Sequence, residues 1–213
     1  MEIVWYGLSC FRLSERGLAS AVTDPYDPVI GLPALRLKAD VVTISHDAPG
    51  HNNLKAVKVE RRVISGPGEY EVGGVFVTGV AMGTGKGKKA SQSVNTLYVF
   101  DYDGLTVAHL GDLNQVPSQP QIEDLGAVNI ALVPVGGGSA LAPSQAAEVI
   151  SLIEPSIVVP MHYKTGKMDL KLGTVARFLS EMGIGKVDPL PSLKVTKSDL
   201  SEQTQVVVLE PAS

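Results

Sequence analysis

The chain has 213 residues, of which 44% are hydrophobic, and a formal net charge of −4 at pH 7. This length can bury one large core and no low-complexity linker divides it, so we expect a single domain over residues 1–213. The acidic balance argues against a nucleic-acid partner, because nucleic-acid-binding domains usually carry a clustered basic excess.

The N-terminal segment starts with a strand-like alternation and has no signal-peptide pattern. No apolar run approaches the roughly 18 residues that span a bilayer, so no membrane insertion is expected. The single cysteine, Cys10, cannot form an intramolecular disulfide, and we interpret it as a small buried thiol. These features are typical of a cytoplasmic protein.

Strands dominate the first half of the chain. Its apolar segments are short, rich in Val, Ile and aromatic residues, and separated by Gly and Pro. They predict strands at roughly 2–6, 18–23, 40–45, 61–65 and 74–80. The Gly/Lys-rich segment 83–89 lacks the glycine spacing of a phosphate-binding loop. It predicts a solvated loop, with an anion-contacting lid as the alternative.

The second half alternates between strands and helices. Strands are predicted near 95–101, 104–109, 129–133, 157–159 and 204–209. Helices are predicted near 118–125, 143–153 and 170–182. This order of elements indicates a layered α/β protein with sheets in the middle and helices outside.

Polar residues follow several of the predicted strands, where α/β proteins usually place their chemistry. Four stretches share this position: Thr43-Ile44-Ser45-His46-Asp47-Ala48-Pro49-Gly50-His51, Thr23-Asp24-Pro25, His109-Leu110-Gly111-Asp112 and Pro160-Met161-His162-Tyr163. Imidazoles and carboxylates that converge on an open position are what a hydrolytic metal centre needs, because the ion must both be held and activate water.

In this order the four stretches resemble the metallo-β-lactamase superfamily, in particular its small metal-dependent hydrolases and ascorbate-phosphate lactonase-like proteins. The resemblance covers nearly the whole chain and includes further segments: Trp5-Tyr6-Gly7, Cys10-Phe11, the turn Pro67-Gly68-Glu69-Tyr70, and Pro134-Val135-Gly136-Gly137 before a helix. It implies a four-layer αββα sandwich whose strand-end loops surround one or two metal ions.

The family motif H-x-H-x-D-H is incomplete in this chain. The resemblance places it on residues 46–51, where Ala48 stands for the second histidine and Gly50 for the aspartate. A further first-site histidine would lie near 82–93, but the four histidines are at 46, 51, 109 and 162. Leu8 also stands where the family commonly has a histidine, directly after the N-terminal glycine. An intact dinuclear zinc site is therefore not expected.

The ligands that remain are two histidines and one carboxylate of the second site. His51, Asp112 and His162 could hold one Zn, Mn or Fe ion. Asp112, at the metal-bridging position, would also be the catalytic residue of an active protein. His46 is a weaker ligand candidate, since a leftover histidine hydrogen-bonded to the backbone explains it slightly better. Asp47 is a less favoured substitute ligand, because its position normally points away from the metals.

Two other residues are candidates to support the ligands. Asp24 either caps a turn or orients a neighbouring histidine. His109 reads most simply as a hydrogen-bonded structural histidine, but its position near Asp112 makes it a second candidate for a supporting role.

Three functions are compatible with these residues. The first is a metallo-β-lactamase-like protein that has lost its two-metal centre and acts, if at all, as a binding module without a metal. The second is a single-metal hydrolase of an ester, lactone or phosphodiester that uses His51, Asp112 and His162. Nucleic-acid processing is a distant third. We expect a small-molecule ligand and no nucleic-acid or membrane partner, and the sequence leaves an oligomer open.

Overall fold

The computed structural model describes residues 1–82, 94–166 and 168–212. The predicted Gly/Lys-rich loop at 83–89 lies outside the described residues. Within them, the strands are β1 (Glu2–Gly7), β2 (Cys10–Ser14), β3 (Ala21–Thr23), β4 (Leu37–Ile44), β5 (Val57–Ser65), β6 (Gly68–Val72), β7 (Val75–Met82), β8 (Asn95–Tyr102), β9 (Leu105–His109), β10 (Ile130–Pro134), β11 (Ile157–Met161), β12 (Leu193–Lys194) and β13 (Gln205–Val206). The α-helices are α1 (Gln119–Glu123), α2 (Pro143–Ile153) and α3 (Val175–Glu181).

The strands form two mixed sheets. The order in the first sheet is β12-β1-β2-β3-β4-β5, and in the second β13-β11-β10-β9-β8-β7-β6. Strands β3, β4 and β5 run parallel in the first sheet. Strands β9, β10, β11 and β13 run parallel in the second. Loops at the carboxyl ends of parallel strands are where open α/β sheets usually bind ligands.

The core lies between the two sheets. Successive residues of a strand point to opposite faces, so Ala21 and Val41 join the large buried cluster between the sheets. Their neighbours Val22 and Val42 join a second, smaller cluster on the other face of the first sheet. The first sheet is therefore buried on both faces, which explains the continuous apolar run of β4.

The predicted α/β sandwich is confirmed. Helices α2 and α3 pack against each other, and α2 also contacts β10 of the second sheet. On the outer side of the first sheet, the smaller cluster contains Ile30, from the short 3-10 turn Pro28–Ile30, and Met168. In the described residues this outer layer consists of 3-10 turns and extended chain instead of α-helix.

The helix predicted at 170–182 is shorter in the structure, because α3 begins only at Val175. Leu170 and Leu172 pack into the smaller cluster with a two-residue period, which suits extended chain and not a helix. The N–H of Gly173 donates to Gly136 O at 2.7 Å, which ties this segment to the loop after β10.

The predicted turn at Pro67-Gly68-Glu69-Tyr70 is also only partly right. Gly68 already begins β6, where it faces Gly79 of β7. Strands β2 and β12 are not among the predicted strands, and β13 is shorter than expected. No helix in the described part of the chain is long and apolar enough to cross a membrane.

Candidate metal centre

The polar strand ends named in the sequence analysis meet at one edge of the two sheets. Asp24 follows β3, His46 follows β4, Asp112 comes shortly after β9, and His162 follows β11. The first two strands belong to one sheet and the last two to the other. The site therefore lies where the carboxyl ends of both sets of parallel strands converge.

Backbone hydrogen bonds hold the loop that carries His46 and His51. The N–H of His51 donates to Ala48 O at 2.8 Å, closing a tight turn. The N–H of Asp27 donates to Pro49 O at 2.8 Å, and that of Asn53 donates to Pro25 O at 2.7 Å. These bonds fix the loop against the chain that leaves β3.

Asp24 binds His51 directly. Its Oδ2 lies 2.8 Å from His51 Nδ1, and both side chains are buried. Asp24 also accepts from the Ser45 N–H at 2.7 Å and the Ser45 hydroxyl at 2.5 Å. Burial acts to raise the pKa of Asp24, but the bond with His51 and the nearby imidazoles and hydroxyl outweigh it, so the pKa is lowered. Asp24 is held as a buried carboxylate whose contacts leave His51 Nε2 free to face the site.

His46 lies beside His51, with a ring-centroid separation of 4.1 Å. Its Nδ1 is 3.0 Å from the Ser45 hydroxyl, and its Nε2 is 3.9 Å from Asp112 Oδ2. Burial, and next the neighbouring His51, lower the pKa of His46, although nearby carboxylates oppose this. The lowered pKa favours the neutral imidazole, which is the form that can ligate a metal.

Asp112 is positioned by Asn95 at the start of β8. The Asp112 N–H donates to Asn95 Oδ1 at 2.9 Å, and Asn95 Nδ2 donates to Leu110 O at 3.1 Å. The intervening Gly111 has a φ of 57°, and a Cβ there would lie 2.4 Å from Asn95 Oδ1 and 2.6 Å from the Cβ of Ser45. Only glycine fits this turn, so the turn fixes where the Asp112 carboxylate stands.

His162 approaches the other side of Asp112. Its Nε2 is 3.3 Å from Asp112 Oδ1, and its backbone N–H donates to Leu8 O at 2.9 Å. The residue has a φ of 52°, which a non-glycine residue adopts only when its surroundings hold it there. Burial lowers the pKa of His162 to about 4, with Asp112 acting against it. His162 is thus a rigidly held, neutral imidazole.

The donors present fit a divalent cation. His46, His51 and Asp112 can each offer one atom such that the three atoms lie within 4.8 Å of one another. Asp112 Oδ1 is buried without an aligned hydrogen bond, although His162 Nε2 is near it. Neutral imidazoles around a carboxylate are a typical donor set for Zn, Mn or Fe. The compact group contains His46, whereas the sequence predicted His162 as the second histidine ligand. His162 instead flanks Asp112.

The remaining candidates, His109 and Asp47, have hydrogen-bond partners outside this group. His109 is fully buried, and its Nε2 lies 2.8 Å from the carbonyl oxygen of Ser9, the geometry of a hydrogen bond to that carbonyl. Its ring packs edge-on against Phe11 at 6.3 Å. Burial lowers the pKa of His109. Asp47 is exposed and hydrogen-bonds Asn52 in its own loop. Neither His109 nor Asp47 has a contact with Asp112 among those found in the described residues.

The two altered motif positions differ in their surroundings, and Gly50 lies against an apolar side chain. A Cβ added to Gly50 would lie 2.7 Å from Leu8 Cδ2. Leu8 is fully buried and has a φ of 47°. Ala48 is half-buried and offers no ligand atom. Leu8 and Gly50 therefore form one packed unit beside the histidines.

Two residues that organise the site were not singled out from the sequence. Ser45 contacts both Asp24 and His46, and Asn95 holds the turn before Asp112. Ser45 directly precedes His46, and a hydroxyl at that position was an available signal. Asn95 lies 17 positions before Asp112, and nothing local in the sequence marks it.

Comparison with known proteins agrees with this fold. Residues 2–162 match the β-lactamase superfamily domain. A UPF0173 protein of Pyrococcus abyssi is 30% identical over 187 residues, which cover 78% of this chain and 84% of that protein. A UPF0173 metal-dependent hydrolase of Methanoculleus marisnigri is 29% identical over 188 residues, covering 78% and 82%.

A solved structure is similar over nearly the full length. The crystal structure of a metallo-β-lactamase superfamily protein from Thermotoga maritima superimposes with a TM-score of 0.79 at 36% identity, covering 98% of this chain and 97% of that one. Since the domain match and these relatives span most of the sequence, the chain belongs to the metallo-β-lactamase superfamily and, within it, to the UPF0173 family.

Proposed function

We propose that this protein is a hydrolase that depends on one divalent metal ion and acts on a small ester, lactone or phosphodiester. The observation that carries the proposal is the contact of 2.8 Å between Asp24 Oδ2 and His51 Nδ1. A histidine that ligates a metal nearly always gives its other ring nitrogen to a carboxylate or carbonyl, which fixes the ring. Fully burying a carboxylate only for a leftover histidine would be a costly arrangement.

The ion would be held by His46, His51 and Asp112, while His162 Nε2 lies 3.3 Å from Oδ1 of that carboxylate. Three protein ligands leave a position open for water or substrate, as catalytic zinc sites usually do. A single ion is proposed because Ala48 and Gly50 supply no ligand atom for a second one.

In such a site the ion supplies activation of a water molecule and polarisation of the bond under attack. The residues supply the geometry. Asp24 and Ser45 keep His51 and His46 in place, and the Asn95-held turn aims Asp112. Asp112 Oδ1, which has no aligned hydrogen bond, can accept the proton that the attacking water loses.

The names of the relatives support this chemistry. The Methanoculleus marisnigri protein is named a metal-dependent hydrolase. The name of the Thermotoga maritima protein suggests a Zn-dependent hydrolase. These names fit the donor set here, and the substrate class comes from the superfamily resemblance.

A metal-free ligand-binding module is the second candidate, and one observation favours it. Leu8 packs on Gly50, so apolar atoms stand where the family motif carries polar side chains. A site that has lost ligands and gained an apolar wall could bind a ligand without hydrolysing it. Metal content and turnover together separate the two candidates.

The experiment is a hydrolysis assay on the protein reconstituted with Zn, Mn or Fe. A p-nitrophenyl ester, a γ-lactone and bis(p-nitrophenyl) phosphate represent the three substrate classes. The proposal expects metal-dependent turnover of at least one of them, lost in Asp112→Ala and kept in Asp47→Asn, which changes an exposed carboxylate of the same site loop. No turnover of any substrate, together with no retained metal, would favour the metal-free binding module.

A further inference from the structure

We infer that one buried carboxylate, Asp24, sets the tautomer of two histidines: His51 by direct contact and His46 through the hydroxyl of Ser45. The hydroxyl of Ser45 is then a positioning group, which acts on the site through His46. The inference deepens the proposed function, and its consequence for metal binding rests on that function. Its structural part concerns the metal-free protein and can be tested there.

The Asp24 carboxylate is surrounded by polar groups of Ser45 and His51. Oδ1 accepts the Ser45 N–H at 2.7 Å, and Oδ2 lies 2.5 Å from the Ser45 hydroxyl and 2.8 Å from His51 Nδ1. An ionised carboxylate can only accept hydrogen bonds. The single hydroxyl proton of Ser45 and a proton on His51 Nδ1 therefore both point at Asp24.

The hydroxyl group of Ser45 carries a single proton. Because Ser45 gives that proton to Asp24, its oxygen has only lone pairs left for His46 Nδ1, 3.0 Å away. His46 Nδ1 must then be the donor. A neutral imidazole carries one proton, so His46 Nε2 is left with a lone pair.

The geometry at the other ring nitrogen agrees with this assignment. His46 Nε2 lies 3.9 Å from Asp112 Oδ2, which is too far for a hydrogen bond. A protonated Nε2 would leave a donor without that acceptor, whereas a lone pair facing a carboxylate is the arrangement that a cation completes. His46 and His51 thus each present an unprotonated Nε2 to the same space.

Ser45 itself is held in place. Its side chain is almost fully buried, and its carbonyl oxygen accepts the N–H of Thr96 from β8 at 2.8 Å. Its Cβ abuts the turn at Gly111. The hydroxyl therefore sits on a fixed backbone between Asp24 and His46, which is what a positioning group requires.

The test is long-range ¹H–¹⁵N NMR on metal-free protein with ¹⁵N-labelled histidine, at a pH of about 8 where free imidazoles are neutral. The chain has only four histidines, so the ring signals can be assigned with single substitutions. In the wild type, His46 and His51 should both carry the proton on Nδ1. In Ser45→Ala, His46 should move towards the Nε2–H form or exchange between forms, while His51 keeps Nδ1–H.

Ser45→Thr retains a hydroxyl and should restore the His46 signal. Metal affinity should fall about tenfold or more in Ser45→Ala and recover in Ser45→Thr, the usual effect of a supporting group. The unchanged His51 signal shows that Asp24 and the local fold are intact. If Ser45→Ala does not fold, Ser45→Cys, a weaker acceptor of similar size, takes its place.

Two outcomes would overturn the inference: an Nε2–H form of His46 in the wild type, or an unchanged Nδ1–H form in a folded variant without the hydroxyl. If the tautomers follow Ser45 but no variant, including the wild type, binds a metal, the hydrogen-bond network stands and the proposed function fails. The same set of samples therefore tests the hydrogen-bond network and the proposed function separately.

Discussion

Oδ2 of Asp24 lies 2.8 Å from Nδ1 of His51, 27 positions later in the chain, and neither residue is exposed by more than 4%. The contact joins the ends of β3 and β4, which are parallel neighbours in the first sheet. It supports His51 from behind and leaves the opposite ring nitrogen for the site. A buried pair of this kind is costly to break, because the remaining partner loses its compensation.

Replacing Asp24 with Asn should therefore weaken both metal binding and the fold. The amide has one acceptor and one donor group, so it cannot satisfy Ser45 and His51 together. We expect metal affinity to fall about 10- to 100-fold and the free energy of unfolding to fall by about 1–3 kcal/mol. Competition with a chromophoric chelator and urea unfolding measure the two effects. Asp47→Asn is the matched control, and an equal loss in both variants would contradict the assigned role.

The turn before Asp112 should be intolerant of any side chain. Gly111→Ala must place a Cβ against Asn95 and Ser45 at a φ of 57°, whereas Gly126 has a similar φ of 66° and nothing within 4 Å. Gly126→Ala should cost only the backbone strain of about 1–2 kcal/mol. Gly111→Ala should cost about 1–3 kcal/mol more through overpacking. Chemical denaturation of the pair measures the difference, and similar values would show that the turn relaxes freely.

Cys10 should be unreactive in the folded protein. The residue is fully buried, and burial, with a smaller effect of Asp24, raises the pKa of its thiol well above the ordinary value. Both properties suppress the thiolate that reacts with disulfide reagents. Ellman's reagent should therefore detect one thiol per chain in guanidinium chloride and almost none in buffer. Rapid reaction of the native protein would contradict the burial of β2 at this position.

Most of the individual strands and helices could be predicted from the sequence, because their signals are local, whereas the four-layer sandwich was implied by the family resemblance. Helix α2 begins at Pro143 and ends at Ile153, as the proline and the helical spacing of apolar residues predict. The apolar run before His46 is β4. The prediction failed where tertiary contacts decide, as at Leu170 and Leu172, whose apolar side chains suit a helix but pack as extended chain over the first sheet.

The candidate site was predictable only in part. The resemblance located His46, His51, Asp112 and His162 at strand ends, since motif positions are read along the chain. The relations between them depend on pairings across the fold, such as that of Asn95 with the backbone of Asp112. The part played by Ser45 likewise arises from its distances to Asp24 and His46, which no spacing in the sequence encodes.

Metal content tests the central claim most directly. The protein would be purified without a chelator or a metal-affinity tag, saturated with Zn or Mn, desalted and measured by elemental analysis. A site of the proposed donor set predicts about one equivalent of metal per chain in the wild type and in Asp47→Asn, and close to none in His51→Ala. A wild-type protein that retains no metal, or a His51→Ala variant that retains as much as the wild type, would contradict the proposed metal centre.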